Sequence, residues 1–204
     1  MDLALFDFDG TITTRETYPP FMHAVVPRWR LALGYPPLAP IILAYRRGLV
    51  SGNTARAAIA RIGFAGMDAA AYDDAGVAFA RDSVPALLRP EAMARIEQHR
   101  RRGDTVVVVS GNFDSLLKPW AATHGLPVLC STMERRNGRL TGRYHGEQCV
   151  RQEKARRVRE AFDLSKFERI HAYGDTIEDD AMLAMAHHAY FREMPAATFA
   201  PEAA

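Results

Sequence analysis

Cysteine is scarce in this chain: Cys130 and Cys149 are the two among 204 residues. Two isolated cysteines make neither a metal-ligand pattern nor a disulfide framework, so a core must hold the fold, and the usage suits a reducing cytoplasm. A charge excess of one sign is also missing. Lys and Arg number 26 against 24 Asp and Glu, a net charge of +2. That balance tolerates an anionic small-molecule partner but gives no footprint for nucleic acid, and no nucleic-acid partner is expected. Arg100, Arg101 and Arg102 read as a helix C-terminus, where the helix dipole favours cations. Internal repeats and low-complexity tracts are lacking. So is an uninterrupted apolar run of the ~20 residues a spanning helix needs. The nearest is residues 29–45, WRLALGYPPLAPIILAY, broken by Gly34, Pro36, Pro37 and Pro40 and bordered by Arg28, Arg30, Arg46 and Arg47. It reads as a buried helical hairpin, with an interfacial patch making weak contact with a membrane surface as the alternative and a true span the least supported. No secretory leader is read at the start, where an acid stands at Asp2 and a strand begins almost at once.

What is present is the composition of a folded protein, with 48% hydrophobic and 25% charged residues. Leu3, Ala4, Leu5 and Phe6 make a short apolar run of the kind buried on both faces of a parallel sheet. Residues 12–88 then lack strand alternation. The segments 21–33, 38–48, 52–63, 68–82 and 83–88 carry helical periodicity or alanine-rich composition, with Ser51 or Asn53 and Asp68 as candidate caps. A block that long is no simple loop. From Pro90 the rhythm changes to helices alternating with strands at 105–109, 127–130, 170–173 and 189–191. Asn137-Gly138 marks a hairpin between 131–136 and 139–144. The expected fold is an α/β doubly wound parallel sheet. Residues 1–13 and 89–204 would form its core, and 14–88 an inserted all-helical cap. The Ala/Pro-rich tail from Pro195 is expected to fray.

Parallel strands share a direction, so three of the strand ends fall on one sheet edge. The first bears Asp7 and Asp9, one residue apart before Gly10. Side chains alternate along a strand, so the two carboxylates share a side. Such a pair suits a hard cation beside a phosphate, and a carboxylate can attack phosphorus. Taken alone, the same residues are equally an acidic turn. The second end carries Ser110, Gly111 and Asn112, either a phosphate cradle heading a helix or a capped turn. The third carries Gly174, Asp175 and, four residues on, Asp179, a second acidic group or a helix N-terminus favoured by the dipole. Lys154, near the start of a helix, would balance phosphoryl charge; one lysine on a helix is ordinarily a solvated residue.

In combination and order, Asp7-x-Asp9-Gly10-Thr11, Ser110-Gly111, Lys154 and Gly174-Asp175-x-x-x-Asp179 resemble the haloacid dehalogenase superfamily, in its phosphoserine phosphatase-like branch. The resemblance implies a magnesium-dependent phosphatase working through an aspartyl-phosphate. Asp7 would be nucleophile and metal ligand. Asp9 would be the acid and base, with its main-chain carbonyl on the metal. Ser110 with the Gly111 and Asn112 amides would bind phosphate, beside Lys154. Asp175 would complete the magnesium shell, with Asp179 as a metal ligand, direct or through water. Glu16 lies where phosphoserine phosphatases place a glutamate on the substrate's amino group. The resemblance thus implies a small phosphorylated metabolite as substrate, phosphoserine-like. Two departures stand against phosphoserine itself. Arg56 and Arg61 are offset from the arginine that binds the substrate carboxylate, and the last motif reads Gly-Asp-Thr-Ile-Glu-Asp. The 29–45 segment resembles a branch that includes a phosphatidylglycerophosphate phosphatase, which leaves a lipid phosphate as the alternative. A non-catalytic phosphate-binding module is the third reading.

Overall fold

A computed structural model describes residues 1–197. Five parallel strands form one sheet in the order β3-β2-β1-β6-β7. They are β1 (Leu3–Phe6), β2 (Thr105–Phe113), β3 (Val128–Ser131), β6 (Ile170–Gly174) and β7 (His188–Phe191). The chain passes from β1 to one side of the sheet and then returns to the other. The order therefore reverses between β1 and β6, where an open parallel sheet has its crevice. Alternation builds the two faces. Leu3, Leu5, Val107, Val109, Ile170 and Ala172 pack against Val158, Met182 and Leu183. Ala4, Phe6, Val106, Val108 and Tyr173 join Ile96, Leu116, Leu117 and Trp120 on the other face. Helices α5 (Pro90–Arg101) and α6 (Asp114–His124) supply that second set, and α7 (Gln152–Ala161) and α8 (Asp180–Leu183) the first.

Between β1 and β2 lie α1 (Tyr18–Val25), α2 (Arg28–Arg46), α3 (Gly52–Phe64) and α4 (Ala69–Asp82). Ser51 caps α3 by accepting from the Thr54 amide, and Asp68 caps α4 by accepting from the Ala70 and Ala71 amides. The expected helix over 83–88 is a single tight turn at Pro85–Leu87. Helix α3 packs on the hairpin β4 (Met133–Arg136) and β5 (Arg139–Tyr144), and α4 is tied to it by Asp73 and Arg135; the hairpin turn has Asn137 at φ 51° and Gly138 at φ 72°. That is the conformation Asn-Gly supports. Phe113, at the end of β2, ties the helical block to the sheet. Its buried ring has Tyr18, Phe21, Phe64 and Tyr144 at centroid distances of 5.1, 5.7, 5.2 and 5.8 Å.

Three sequence expectations change. The 29–45 segment is no hairpin and is not buried: α2 runs unbroken for 19 residues through Pro36, Pro37 and Pro40. Proline fixes a helical φ, and what it removes are donors to carbonyls that here face solvent on the outer side. Of the residues of α2, Gly34 and Leu38 are the buried ones. Second, β2 does not stop at residue 109. Pairing with β3 carries it on, with a register irregularity between Ser110 and Phe113 that takes up Gly111 and Asn112. Those two residues therefore sit in a strand bulge, not at a helix start. Third, the helix expected from residue 179 to 188 is short, Asp180–Leu183. The expectation of a frayed tail lies, from residue 198, outside the described residues.

Candidate active site

Asp7 follows β1 directly, and its amide donates to the Tyr173 carbonyl at 2.9 Å. Parity with Leu3 and Leu5 turns its carboxylate to the face covered by α7. From α7, Lys154 reaches in and is 2% exposed. Its Nζ donates to Asp7 Oδ1 and to Asp179 Oδ1, each at 2.5 Å. Burial opposes the Lys154 ammonium, but the two carboxylates outweigh it and hold its pKa above the ordinary value. Burial pushes Asp7 well above the carboxylate range even against the pull of Lys154. Residue Arg151, just before α7, sits at φ 53°, ψ −127°, a conformation natural to glycine. Its amide donates to the Glu178 carbonyl at 2.7 Å, tying the start of α7 to the loop after β6.

That loop carries Asp175 and Asp179. Asp179 is fully buried, and while Oδ1 holds Lys154, Oδ2 accepts from the Asp175 and Thr176 amides at 3.1 and 3.0 Å. Asp7, Asp175 and Asp179 offer oxygens that all lie within 4.8 Å of one another. Asp175 Oδ1 is buried and has no hydrogen-bond partner. Burial, then the neighbouring Asp179, raises the Asp175 pKa. The β1 loop comes this close because Gly10 has φ 78°, and a Cβ there would stand 2.2 Å from Asp175 Oδ2. Glycine supplies both the conformation and the space.

Asp9 follows another path. Strand alternation would put its carboxylate on the side of Asp7, but β1 ends at Phe6 and the chain turns from Phe8, so that alternation does not reach Asp9. Oδ1 accepts from the Thr17 amide at 3.0 Å and the Thr17 hydroxyl at 2.6 Å, and Oδ2 from Asn112 Nδ2 at 2.9 Å. Burial pushes its pKa up to about 6 despite those three bonds. Asn112 Nδ2 also donates to Thr17 Oγ1 at 2.8 Å, so Asn112 and Thr17 clasp Asp9 together. Sequence reasoning took Asn112 for a main-chain donor and passed over Thr17; a lone threonine in a polar loop gave no signal. Here the Asn112 amide is bonded to Ser110 Oγ at 3.2 Å, and both residues are buried.

A cavity of about 470 Å³ is lined by Asp7, Asp9, Ser110, Gly111, Asn112 and Asp175 on the sheet side, with Lys154 and Asp179 behind Asp7. Its other wall includes Tyr18, Ile42, Tyr45, Arg56 and Ile59, with Glu16 exposed at the mouth. A cavity this size takes a small organic ligand. Arg56 is engaged there, donating to Glu178 Oε1 at 2.7 Å and to Gln148 Oε1 at 3.0 Å. Arg61 lies outside the cavity, donating to the Thr141 carbonyl at 2.6 Å.

The sequence model of the haloacid dehalogenase-like hydrolases matches residues 4–184. The chain belongs to this family. It is a hydrolase, and its five-stranded parallel sheet with helices is the family's fold. Protein CicA of Caulobacter vibrioides strain NA1000 / CB15N is 34% identical over 193 residues, covering 93% of this chain and 85% of that protein. A Bordetella pertussis Tohama I protein of unknown function shares the fold with TM-score 0.70 at 23% identity, over 91% of this chain and 86% of its own. A phosphoserine phosphatase solved as a phospho-aspartyl intermediate analogue aligns with TM-score 0.61 at 20% identity, over 91% of this chain and 83% of that one. Within the haloacid dehalogenase-like hydrolase fold, the four sequence motifs thus meet around Asp7 and its cavity. The side chains of Asp9, Asn112 and Asp179 are already engaged on both of their polar atoms.

Proposed function

We infer that this hydrolase is a magnesium-dependent phosphomonoesterase that works through an aspartyl-phosphate on Asp7. The observation that carries the reading is buried Lys154, bonded at 2.5 Å to Asp7, which lines a cavity together with Ser110 and Gly111. Helices 14–88 would then act as the cap that closes this cavity over the sheet. The residues present fit a divalent cation: three carboxylates face one ammonium, and Asp175 Oδ1 lacks a partner. Asp7 and Asp175 would hold magnesium, with the Asp9 carbonyl as the family pattern implies, and the ion would offset charge on the phosphoryl oxygens. Asp179 acts differently in this reading, since both its oxygens are engaged: it orients Lys154 and braces the loop.

The chain's own residues divide the work. The Ser110 hydroxyl and the Gly111 amide orient the phosphoryl group, and Lys154 balances its charge. An Asp7 oxygen attacks phosphorus as the phosphorus–oxygen ester bond breaks. Asp9, protonated, gives its proton to the departing alkoxide. Asp9 as carboxylate then takes a proton from water, whose oxygen attacks phosphorus and releases phosphate and Asp7. A carboxyl held near pKa 6 can serve in both directions around neutral pH. The substrate reading is a small organic phosphate of the phosphoserine type, with Glu16 at the mouth to meet an amino group. Ile42 and Tyr45 in the cavity wall favour a second reading, a phosphate with an apolar body.

Hydrolysis of an aryl phosphate with and without magnesium tests the reaction class. Turnover should need magnesium and fall at least about a thousandfold in Asp7→Asn. Undiminished turnover in Asp7→Asn would refute Asp7 as nucleophile. Phosphoserine hydrolysed no faster than the aryl phosphate would reject the phosphoserine-type substrate.

A further inference from the structure

Helix α2 is apolar on both sides. Its inward stripe, Leu31, Gly34, Leu38 and Ile42, is buried or half-buried. Its outward stripe at spacings of three and four runs Trp29, Leu33, Pro36, Pro40 and Leu43, and all five are exposed. Trp29 is 62% exposed and Leu33 70%, and Leu49 beyond the helix end reaches 73%. A helix apolar all round normally has both faces covered. Residues 31–45 contain no charged side chain, and arginines stand at both ends, Arg28 and Arg30 before it and Arg46 and Arg47 after it. From residue 17 to 67 the chain has six arginines and no Asp or Glu, although its net charge is only +2. The remainder of the chain is therefore net acidic, and this stretch is cationic. Among the described residues Arg28, Arg46 and Arg47 have no acidic partner.

We propose that the outward face of α2, with Leu49 and the flanking arginines, docks on an anionic lipid surface. The apolar stripe enters the headgroup boundary and the arginines meet lipid phosphates at its rim. A helix of 19 residues is about 29 Å long, and an interfacial helix with an apolar face and cationic ends binds through both forces. Trp29, on the outward stripe, is a side chain suited to the headgroup level. Depth is limited by the prolines. Pro36, Pro37 and Pro40 cannot donate to the carbonyls of Ala32, Leu33 and Pro36, which water or headgroups can satisfy and hydrocarbon cannot. No described helix is long and apolar enough to cross a membrane, which agrees with a helix lying in the interface. A second copy of the chain is a poor occupant, since a symmetric contact through this face would oppose arginines to arginines. Docked this way, α2 lies between the lipid and the cavity, with Ile42 and Tyr45 on its inner side in the cavity wall.

Sedimentation of the full chain with vesicles tests the proposal, and the result needs no turnover, so it stands or falls separately from the hydrolase reading. Wild-type protein should co-sediment with vesicles of equal parts phosphatidylglycerol and phosphatidylcholine and much less with phosphatidylcholine alone. Trp29 emission should shift to the blue on binding, whereas buried Trp120 reports folding. Leu33→Glu with Leu43→Glu, and separately Arg28→Gln with Arg47→Gln, should each lower the partition coefficient at least about tenfold. Aryl phosphate hydrolysis in free solution should stay at the wild-type rate in both variants, which shows that they are folded. Wild-type protein left in the supernatant with the anionic vesicles, or unchanged binding in the Leu33→Glu/Leu43→Glu variant, overturns the proposal. So does a wild-type dimer that Leu33→Glu dissociates, which would give the face to a second copy.

Discussion

Lys154→Met isolates the electrostatics at the floor of the site. Lys154 Nζ stands 2.5 Å from one oxygen of Asp7 and one of Asp179, with the three side chains 2%, 8% and 0% exposed. Methionine fills similar volume, so the loss is chiefly the charge. Without it two buried carboxylates face each other, and removing one partner of a buried pair costs about 3–5 kcal/mol. That is a large share of the roughly 5–15 kcal/mol by which a domain is stable. The variant can recover part of it by taking up a proton. Asp7, already pushed up by burial, would then have a folded pKa above its unfolded one, so the folded state binds more protons. Stability must fall as pH rises, by about 1.4 kcal/mol per pH unit for each such proton while the pH lies between the two pKa values. Urea unfolding in EDTA at pH 5.5 and pH 8 reads both effects. The expected result is a loss of several kcal/mol at pH 8 and a clearly smaller one at pH 5.5. A loss under about 1 kcal/mol, equal at both pH values, would refute the buried ion triad. Magnesium should restore part of the stability at pH 8, and aryl phosphate turnover should stay at least about a hundredfold down.

Thr17→Val removes the hydroxyl that donates to Asp9 at 2.6 Å and receives Asn112 at 2.8 Å. It should cost about 1–3 kcal/mol and move the acid limb of the kcat–pH profile upward, since hydrogen bonds hold the buried Asp9 down; Thr17→Ser should restore the profile, and an unmoved limb refutes the clasp. His99 lies with Nδ1 2.8 Å from Asp104 and Nε2 3.0 Å from the Tyr173 hydroxyl, and burial lowers its pKa to about 4. With the folded pKa below the unfolded 6.5, the unfolded state binds more protons between pH 6.5 and 4, so stability is lost as pH falls through that window. The loss is of order 2 kcal/mol and should be reduced in His99→Gln, as urea melts at pH 7 and pH 4.5 would show. Arg151→Gly should raise the melting temperature relative to Arg151→Ala, because the φ of 53° strains any side chain by about 1–3 kcal/mol. A glycine variant less stable than the alanine variant contradicts that strain.

Local chemistry settled much of this protein. The apolar run at β1, the valines of β2 and the Asn-Gly turn specify their elements by short-range rules, because backbone propensity and side-chain alternation act over a few residues. Asp7, Ser110 and Asp175 come together because parallel strands bring their ends to one edge whatever lies between, and α7 adds Lys154 beside them. Contacts between distant segments decided the rest. Pairing with β3, not the Ser-Gly-Asn tripeptide, carried β2 past Ser110. The end of β1 at Phe6 and the turn from Phe8 left Asp9 to Thr17 and Asn112, which period-two alternation does not foresee. Asp179 was claimed by Lys154 and two loop amides, a choice set by which donors the fold delivered. The 29–45 segment shows the limit best. Its composition is that of a buried element, but burial requires a neighbour on each side, and α2 has the rest of the molecule on one side only. A chain writes its own propensities, whereas how many faces of a helix find partners is a property of the assembled fold.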